Sequence, residues 1–376
     1  MKILLVGEYS NLHNSLQEGL QALGHEVTLM GSGDAFKNFP ADVDVRGKTF
    51  QDKPLLNFIR QGIYRIFKTD ISLWETAFRT QKELSKMASF DVIQLINEYP
   101  LKTPYFFEKR IILKLRKLTK RLVILGCGDD WVYMNNIHKL PHHPSRRFND
   151  AIKFPFSSMY LSKKHQKFHH FVFTLKDLII TTDMDYHTVY KGLPEYYGMI
   201  PNPVNLQKIK PLTLPPLDKI RIFHGINRVN YYKKGNDVFE DALEVIKTQY
   251  GDRIEIYTTE NLPYSEYITR YEKCHILLDQ AYALDQGYNA LEAMAKGKVV
   301  FTGAGEDFCE QYGLERDTVA IHTLPEMNQI VNNLVALIEN PARISEIGYN
   351  AQQFIKIHHN YKDVAQQYID AWNTIN

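Results

Sequence analysis

Short runs of aliphatic residues alternate with stretches whose apolar positions recur at helical spacing. Lys2–Val6 is followed by a polar turn, Gly7-Glu8-Tyr9-Ser10-Asn11. Leu12, Leu16, Leu20 and Leu23 then keep the 3.6-residue period, Gly24 stops the helix, and residues 25–30 resume as a strand. Strand, turn, helix and strand within about 30 residues is a βαβ unit, which predicts a parallel sheet. Apolar runs at 92–96, 122–125 and 178–182 extend it, with a helix over 105–118. The leucine spacing in 111–118 fits an amphipathic helix face, not a coiled coil.

A proline-rich stretch interrupts this rhythm: Ile200-Pro-Asn-Pro-Val204, then Pro211, Pro215 and Pro216. Prolines at that density disfavour helix and central strand, so a linker is expected. Alternation then restarts, with strands over 220–223, 254–257, 275–278 and 299–302. Helices are expected over 237–250, 264–273, 289–296, 325–339, 342–357 and 363–372. Two α/β domains follow from the pattern, 1–200 and 201–357.

Composition narrows the class. The chain has 376 residues, 44% hydrophobic and 23% charged, which is the balance of a folded globular protein. Its three cysteines, Cys127, Cys274 and Cys309, are far apart, which argues against a disulfide framework or a thiolate zinc site. With neither a long apolar run nor a leader-like start, a cytoplasmic protein is expected. The net charge is +2, no signature of nucleic-acid binding. Yet residues 101–176 hold 16 Lys and Arg against 4 Asp and Glu, a net +12 that leaves −10 elsewhere. Phe106, Phe107, Phe154, Phe156, Tyr160, Phe168, Phe171 and Phe173 lie among them. Such a mixture suits the surface of an anionic membrane or an acidic substrate, or equally a solvated basic face over core aromatics.

Candidate chemistry concentrates after the linker. Gly287 precedes a helix capped at Tyr288 or Asn289, and the backbone N–H groups of Gly287, Tyr288, Asn289 and Ala290 would receive a phosphate at its positive end. Glu292, expected on the first turn, could accept hydrogen bonds from two vicinal ribose hydroxyls. The loop His224-Gly-Ile-Asn-Arg-Val-Asn-Tyr-Tyr-Lys-Lys-Gly235 leaves a strand's carboxyl end carrying Arg228, Lys233 and Lys234, which can neutralise a diphosphate.

These stretches resemble the C-terminal half of retaining GT-B glycosyltransferases of the group-1 (family 4) type. Leu291-Glu-Ala-Met-Ala-Lys-Gly-Lys-Val-Val300 is similar to that family's L-E-A-M-A-x-G-x-P-V-V run, and Ile200-Pro-Asn-Pro-Val204 to its I-P-N-G-V linker. The resemblance implies two Rossmann-like domains facing each other across a cleft, with helix 358–376 packing back onto the first. It implies transfer of a sugar from a nucleoside diphosphate sugar to an acceptor hydroxyl, in polysaccharide or glycolipid synthesis. The nucleotide sugar is a co-substrate; no cofactor and no metal are implied. Glu292 would hold the ribose, Arg228 and Lys234 the diphosphate, and Leu262 and Tyr264 would lie by the base. Where the family has its first glutamate this chain has Leu284, with Asp285 one position later. A catalytically inactive nucleotide- or partner-binding protein is the alternative that Leu284 motivates, and an epimerase or phosphotransferase a further one.

The first half gives fewer pointers. Gly7 follows the first strand, where backbone could approach the donor. Asp129 and Asp130 follow strand 122–125 and could orient or deprotonate an acceptor hydroxyl, or cap the next helix. Asp285 joins them as a catalytic candidate. His13 is expected either at the cleft or on a helix surface. Asp183-Met-Asp185 imitates a metal-binding D-x-D but reads as a helix cap. His165 and His169 are one helical turn apart, among lysines that would repel a cation. A membrane contact through 101–176 and a carbohydrate or lipid-linked acceptor complete the expected partners.

Overall fold

The first apolar run forms β1 (Lys2–Val6), and its side chains feed two separate cores. Ile3 and Leu5 point to one face of the sheet, Leu4 and Val6 to the other, as strand alternation requires. The protein is described here from a computed structural model covering residues 1–33, 39–67, 69–144, 155–209, 212–260 and 264–375.

After β1 come α1 (Leu12–Ala22), β2 (Glu26–Gly31), β3 (Val43–Asp44), α2 (Pro54–Phe67), α3 (Ser72–Leu84), β4 (Val92–Leu95) and α4 (Tyr105–Leu118). The domain continues with β5 (Leu122–Gly126), α5 (Trp131–Asn135), α6 (Lys163–Phe173), β6 (Leu178–Thr181), α7 (Met184–Tyr190) and β7 (Tyr196–Met199). Its seven strands run parallel in the order β3-β2-β1-β4-β5-β6-β7. The second domain contributes β8 (Ile220–Ile226), α8 (Asn236–Tyr250), β9 (Ile254–Glu260), α9 (Tyr264–Lys273), β10 (Ile276–Leu278), α10 (Tyr288–Ala295), β11 (Val299–Thr302) and β12 (Ile321–His322). These five strands are parallel in the order β12-β11-β10-β8-β9. The architecture is that of the GT-B glycosyltransferase fold.

The chain ends with α11 (Ala342–His358) and α12 (Tyr361–Asn373), which go to different domains. Phe354 and Ile355 of α11 join the second domain's core with Val300 and Leu291. Val364, Tyr368 and Trp372 of α12 are fully buried against Ile3, Leu5 and Leu16. Gly19 makes this approach possible, because a Cβ there would lie 2.2 Å from the Tyr361 carbonyl oxygen. Where the chain crosses back it meets the linker: Val204 N–H donates to the His359 carbonyl at 2.7 Å, and His359 Nδ1–H to Asn202 O at 2.8 Å.

His13 is neither at the cleft nor on a surface. It is completely buried, with Nδ1–H donating to Gly7 O at 2.7 Å, so Nε2 is left to accept from Gln94 at 3.3 Å. Gln94 Oε1 in turn accepts from the Trp372 indole at 3.1 Å. Burial lowers the imidazole to about 3, against a weaker opposing pull from its bond to Gly7. The unfolded chain therefore takes up this proton first, so His13 supports the fold fully above about pH 6.5 and ever less as pH falls toward 3. His13→Gln, compared with the parent by urea denaturation from pH 7 to 4, should remove about 1.4 kcal/mol per pH unit of acid destabilisation. Parallel curves for the two proteins would contradict the neutral assignment.

Most aromatics of the basic segment are core residues. Phe168 is fully buried and Tyr160 nearly so, and Phe107, Phe171 and Phe173 are half-buried against the same cluster. Phe106 alone among its described aromatic side chains stands out, at 61% exposure; Phe154 and the Phe156 side chain lie outside the described residues. Two of the segment's histidines are tied down too. His165 Nε2 and His169 Nδ1 donate to the buried Glu98 at 2.7 and 2.5 Å, and Trp131 N–H donates to it at 3.0 Å. Burial opposes ionisation of Glu98, but the two imidazoles outweigh it and hold the carboxyl at about 2.

Candidate active site

Strand order reverses once in each sheet, between β1 and β4 and between β8 and β10. Loops leaving the carboxyl ends of such neighbours diverge and open a crevice. In the second sheet those loops are 227–235 and 279–287. A cavity of about 460 Å³ lies between the domains there, lined by Tyr9, Lys102, Asp129, Asn230, Lys233 and Gly287 among others. A smaller one of about 260 Å³ adjoins it, lined by Asp183, Asp185, Lys233, Lys234, Asp285 and Gly287 among others.

Lys233 and Lys234 sit on one helical turn, Tyr231–Lys234, which Gly235 ends in the left-handed conformation at φ 76°. Lys233 reaches across the cleft, its Nζ 2.6 Å from Asp129 Oδ1. Burial pushes the Asp129 carboxyl up, but the Lys233 ammonium and the Ser157 hydroxyl more than offset this and leave it below the usual range. Lys234 Nζ stays within its own domain, 2.8 Å from Asp279, which also accepts from Asn289 Nδ2 at 2.9 Å. Arg228 is not with them. It donates to Glu260 through Nε and Nη2 at 2.7 and 2.5 Å, is 52% exposed, and lines neither cavity.

Gly287 is itself the cap of α10, and neither Tyr288 nor Asn289 takes that place. Tyr288 is the first helical residue, and its hydroxyl donates to Pro203 O at 2.6 Å, tying the helix start to the linker. Ala290 is buried in the domain core, so its side chain cannot line the site. Glu292 is the fifth residue of α10, beyond the first turn, and its side chain is exposed. Leu262 lies outside the described residues, and Tyr264 opens α9.

Two first-domain candidates have structural occupations. Asp130 caps α5 by accepting from Tyr133 N–H at 2.7 Å, and it also accepts from the Tyr190 hydroxyl. Fully buried, with its carboxyl pushed well up by that burial and by the Glu98 charge, it does not reach the cleft. Gly7, at φ 86°, is required by packing: a Cβ there would lie 2.3 Å from the Ile96 side chain.

Three carboxylates meet at the floor of the smaller cavity. Asp183, Asp185 and Asp285 each bring an oxygen within 4.8 Å of the others. Asp183 caps α7 through Tyr186 N–H at 3.1 Å. The other two exchange bonds across the domains: Asp185 accepts from Leu284 N–H at 2.9 Å and Asp285 from Met184 N–H at 3.0 Å. Burial raises all three carboxyls, Asp185 to about 6, and mutual repulsion raises Asp183 and Asp285 further. Among the described residues this is the one group able to share a divalent cation, and each member already accepts a backbone N–H.

Residues 225–370 match the model of a family described as glycosyl transferase-like. No curated protein sequence matches the chain. Among solved structures the chain is similar to sucrose-phosphate synthase from Thermosynechococcus elongatus, at 14% identity and a TM-score of 0.62 over 100% of this chain and 99% of that one. It is also similar to HepE of Anabaena, solved in complex with UDP and glucose, at 13% identity and a TM-score of 0.58 over the whole of both chains. TarM of S. aureus is similar over 79% of this chain and 59% of its own, at 12% identity and a TM-score of 0.52. At these identities the likeness defines the fold.

Proposed function

We propose that the protein transfers a sugar from a nucleoside diphosphate sugar to an acceptor hydroxyl, with retention of configuration, in polysaccharide or glycolipid synthesis. The observation that carries this reading is the convergence of Lys233, Lys234 and the amino end of α10 at the β8/β10 reversal, facing a cavity between the domains. Fixed cations and free N–H groups there would stabilise the negative charge that grows on a leaving diphosphate. The match of residues 225–370 to a glycosyl transferase-like family supports it, as does the UDP bound by HepE on the same fold. Asp129, ionised and facing the larger cavity, would take part in orienting the acceptor once the diphosphate draws Lys233 away from it. Asp285 would meet the transferred sugar, and Glu292 the ribose.

A panel of nucleoside diphosphate sugars, read by release of the nucleotide, tests the activity. Glu292→Ala should lower turnover of the preferred donor about 100-fold through lost donor positioning, with an unchanged melting temperature because the side chain is exposed. Undiminished turnover in this variant removes the ribose assignment. Leu284, which supplies no carboxylate where an acid is expected, favours the inactive binding protein as second reading. Stabilisation by nucleoside diphosphates without turnover of any donor would select it.

A further inference from the structure

The segment between β3 and β4 is one the apolar pattern left unassigned, and it holds a helix with an unusual distribution of surface. No described side chain of α2 is buried. Leu55, Phe58 and Ile66 are 72%, 73% and 74% exposed, and Ile59 is 43% exposed. Their spacing, i, i+3, i+4 and i+11, puts them on one face within about 100° of arc. A helix of a monomeric soluble domain normally turns such a stripe inward. Here the stripe faces solvent, while the apolar Leu56 and Ile63, about a quarter-turn away, are half-buried.

Charge distinguishes what would cover this face. Residues 53–69 contain four basic side chains, Lys53, Arg60, Arg65 and Lys68, and no acidic one. Lys53 and Arg65 are exposed. A second copy docking by a twofold contact would set basic residues against basic residues. An anionic headgroup layer would meet them with opposite charge, while its acyl region receives the apolar stripe.

The opposite flank of α2 reaches the first domain's own crevice. Arg60 donates to Asp70 at 2.9 Å, and both residues line a cavity of about 480 Å³ with Glu8, Tyr9, Pro100 and Lys102. That cavity opens beside the β1/β4 reversal and adjoins the larger interdomain cavity, since Tyr9 and Lys102 line both spaces.

We propose that α2 lies in the plane of an anionic lipid bilayer, with Leu55, Phe58, Ile59 and Ile66 entering the apolar layer and Lys53 and Arg65 at its headgroups. An acceptor held in the membrane is then presented to the neighbouring cavity. That last clause rests on the glycosyltransferase reading; the membrane contact itself does not.

Sedimentation with vesicles tests the contact. The whole chain should partition at least about tenfold more onto phosphatidylcholine vesicles containing about 30% phosphatidylglycerol than onto phosphatidylcholine alone, and high salt should reverse part of this. The triple variant Leu55→Ser, Phe58→Ser, Ile66→Ser should lose about tenfold of that binding while keeping its melting temperature, because all three side chains are exposed. A parent chain that stays in the supernatant overturns the proposal, and so does a folded triple variant that binds as the parent does. Light scattering that finds a dimer dissolved by the triple variant, without vesicle binding, overturns it in favour of self-association. Vesicle binding without any sugar transfer would leave the contact standing and count against the activity instead.

Discussion

Lys233→Met should lower kcat/KM for the preferred nucleotide sugar about 10²- to 10³-fold, whereas Arg228→Met should lower it less than about tenfold. The first figure is what one fixed charge at a developing anion typically contributes in a site shielded from water. Lys233 lines both interdomain cavities, and its charge is held in the cleft by Asp129. Arg228 is committed to Glu260, outside both. Lys234→Met should fall close to Lys233→Met, since its ammonium and Asn289 share Asp279 beside the amino end of α10. Steady-state rates with one donor at several concentrations decide the matter. Equal and large losses at Arg228 and Lys233 would mean that Arg228 leaves Glu260 to join the donor site.

Trp372→Ala should destabilise the first domain by about 3–5 kcal/mol, the usual cost of removing a large aromatic from a closed core. The indole is fully buried beside Leu5 and Ile369 and is the donor to Gln94, whose amide is itself buried. Its loss leaves both a void and an unsatisfied carbonyl. Urea denaturation followed by fluorescence and circular dichroism would measure this. A change below about 1 kcal/mol would mean that α12 adds little to the domain it covers.

The strands were legible because most of them are buried on both faces, which leaves continuous apolar runs in the sequence. The short edge strands β3, β7 and β12 carry no such run. Within α2 the apolar residues do keep a helical spacing, but that spacing is the same whether a stripe meets a core or solvent, so its outward direction is not legible. At the site, Lys233, Lys234 and Gly287 could be singled out because their types and their places after strands carry meaning locally. The cap that Asp130 makes is one of its two sequence readings. Its burial under the Tyr190 hydroxyl, and that of His13 behind Gln94 and Trp372, could not be read, because those partners come from distant segments. Asp183 and Asp185 show the same limit within one short motif. The cap made by Asp183 is local, but the bond from Leu284 to Asp185 spans 99 positions.

The backbone crosses between the domains twice, once through the prolines near Val204 and once at His359, and the two crossings are hydrogen-bonded to each other. Two parallel tethers fastened side by side act like the leaves of a door. They resist sliding and twisting of one domain on the other, and leave swinging about their shared line as the easy motion. Lys233 with Asp129 and the paired bonds of Asp185 and Asp285 join the same two domains through side chains, so a swing about that line has to break them.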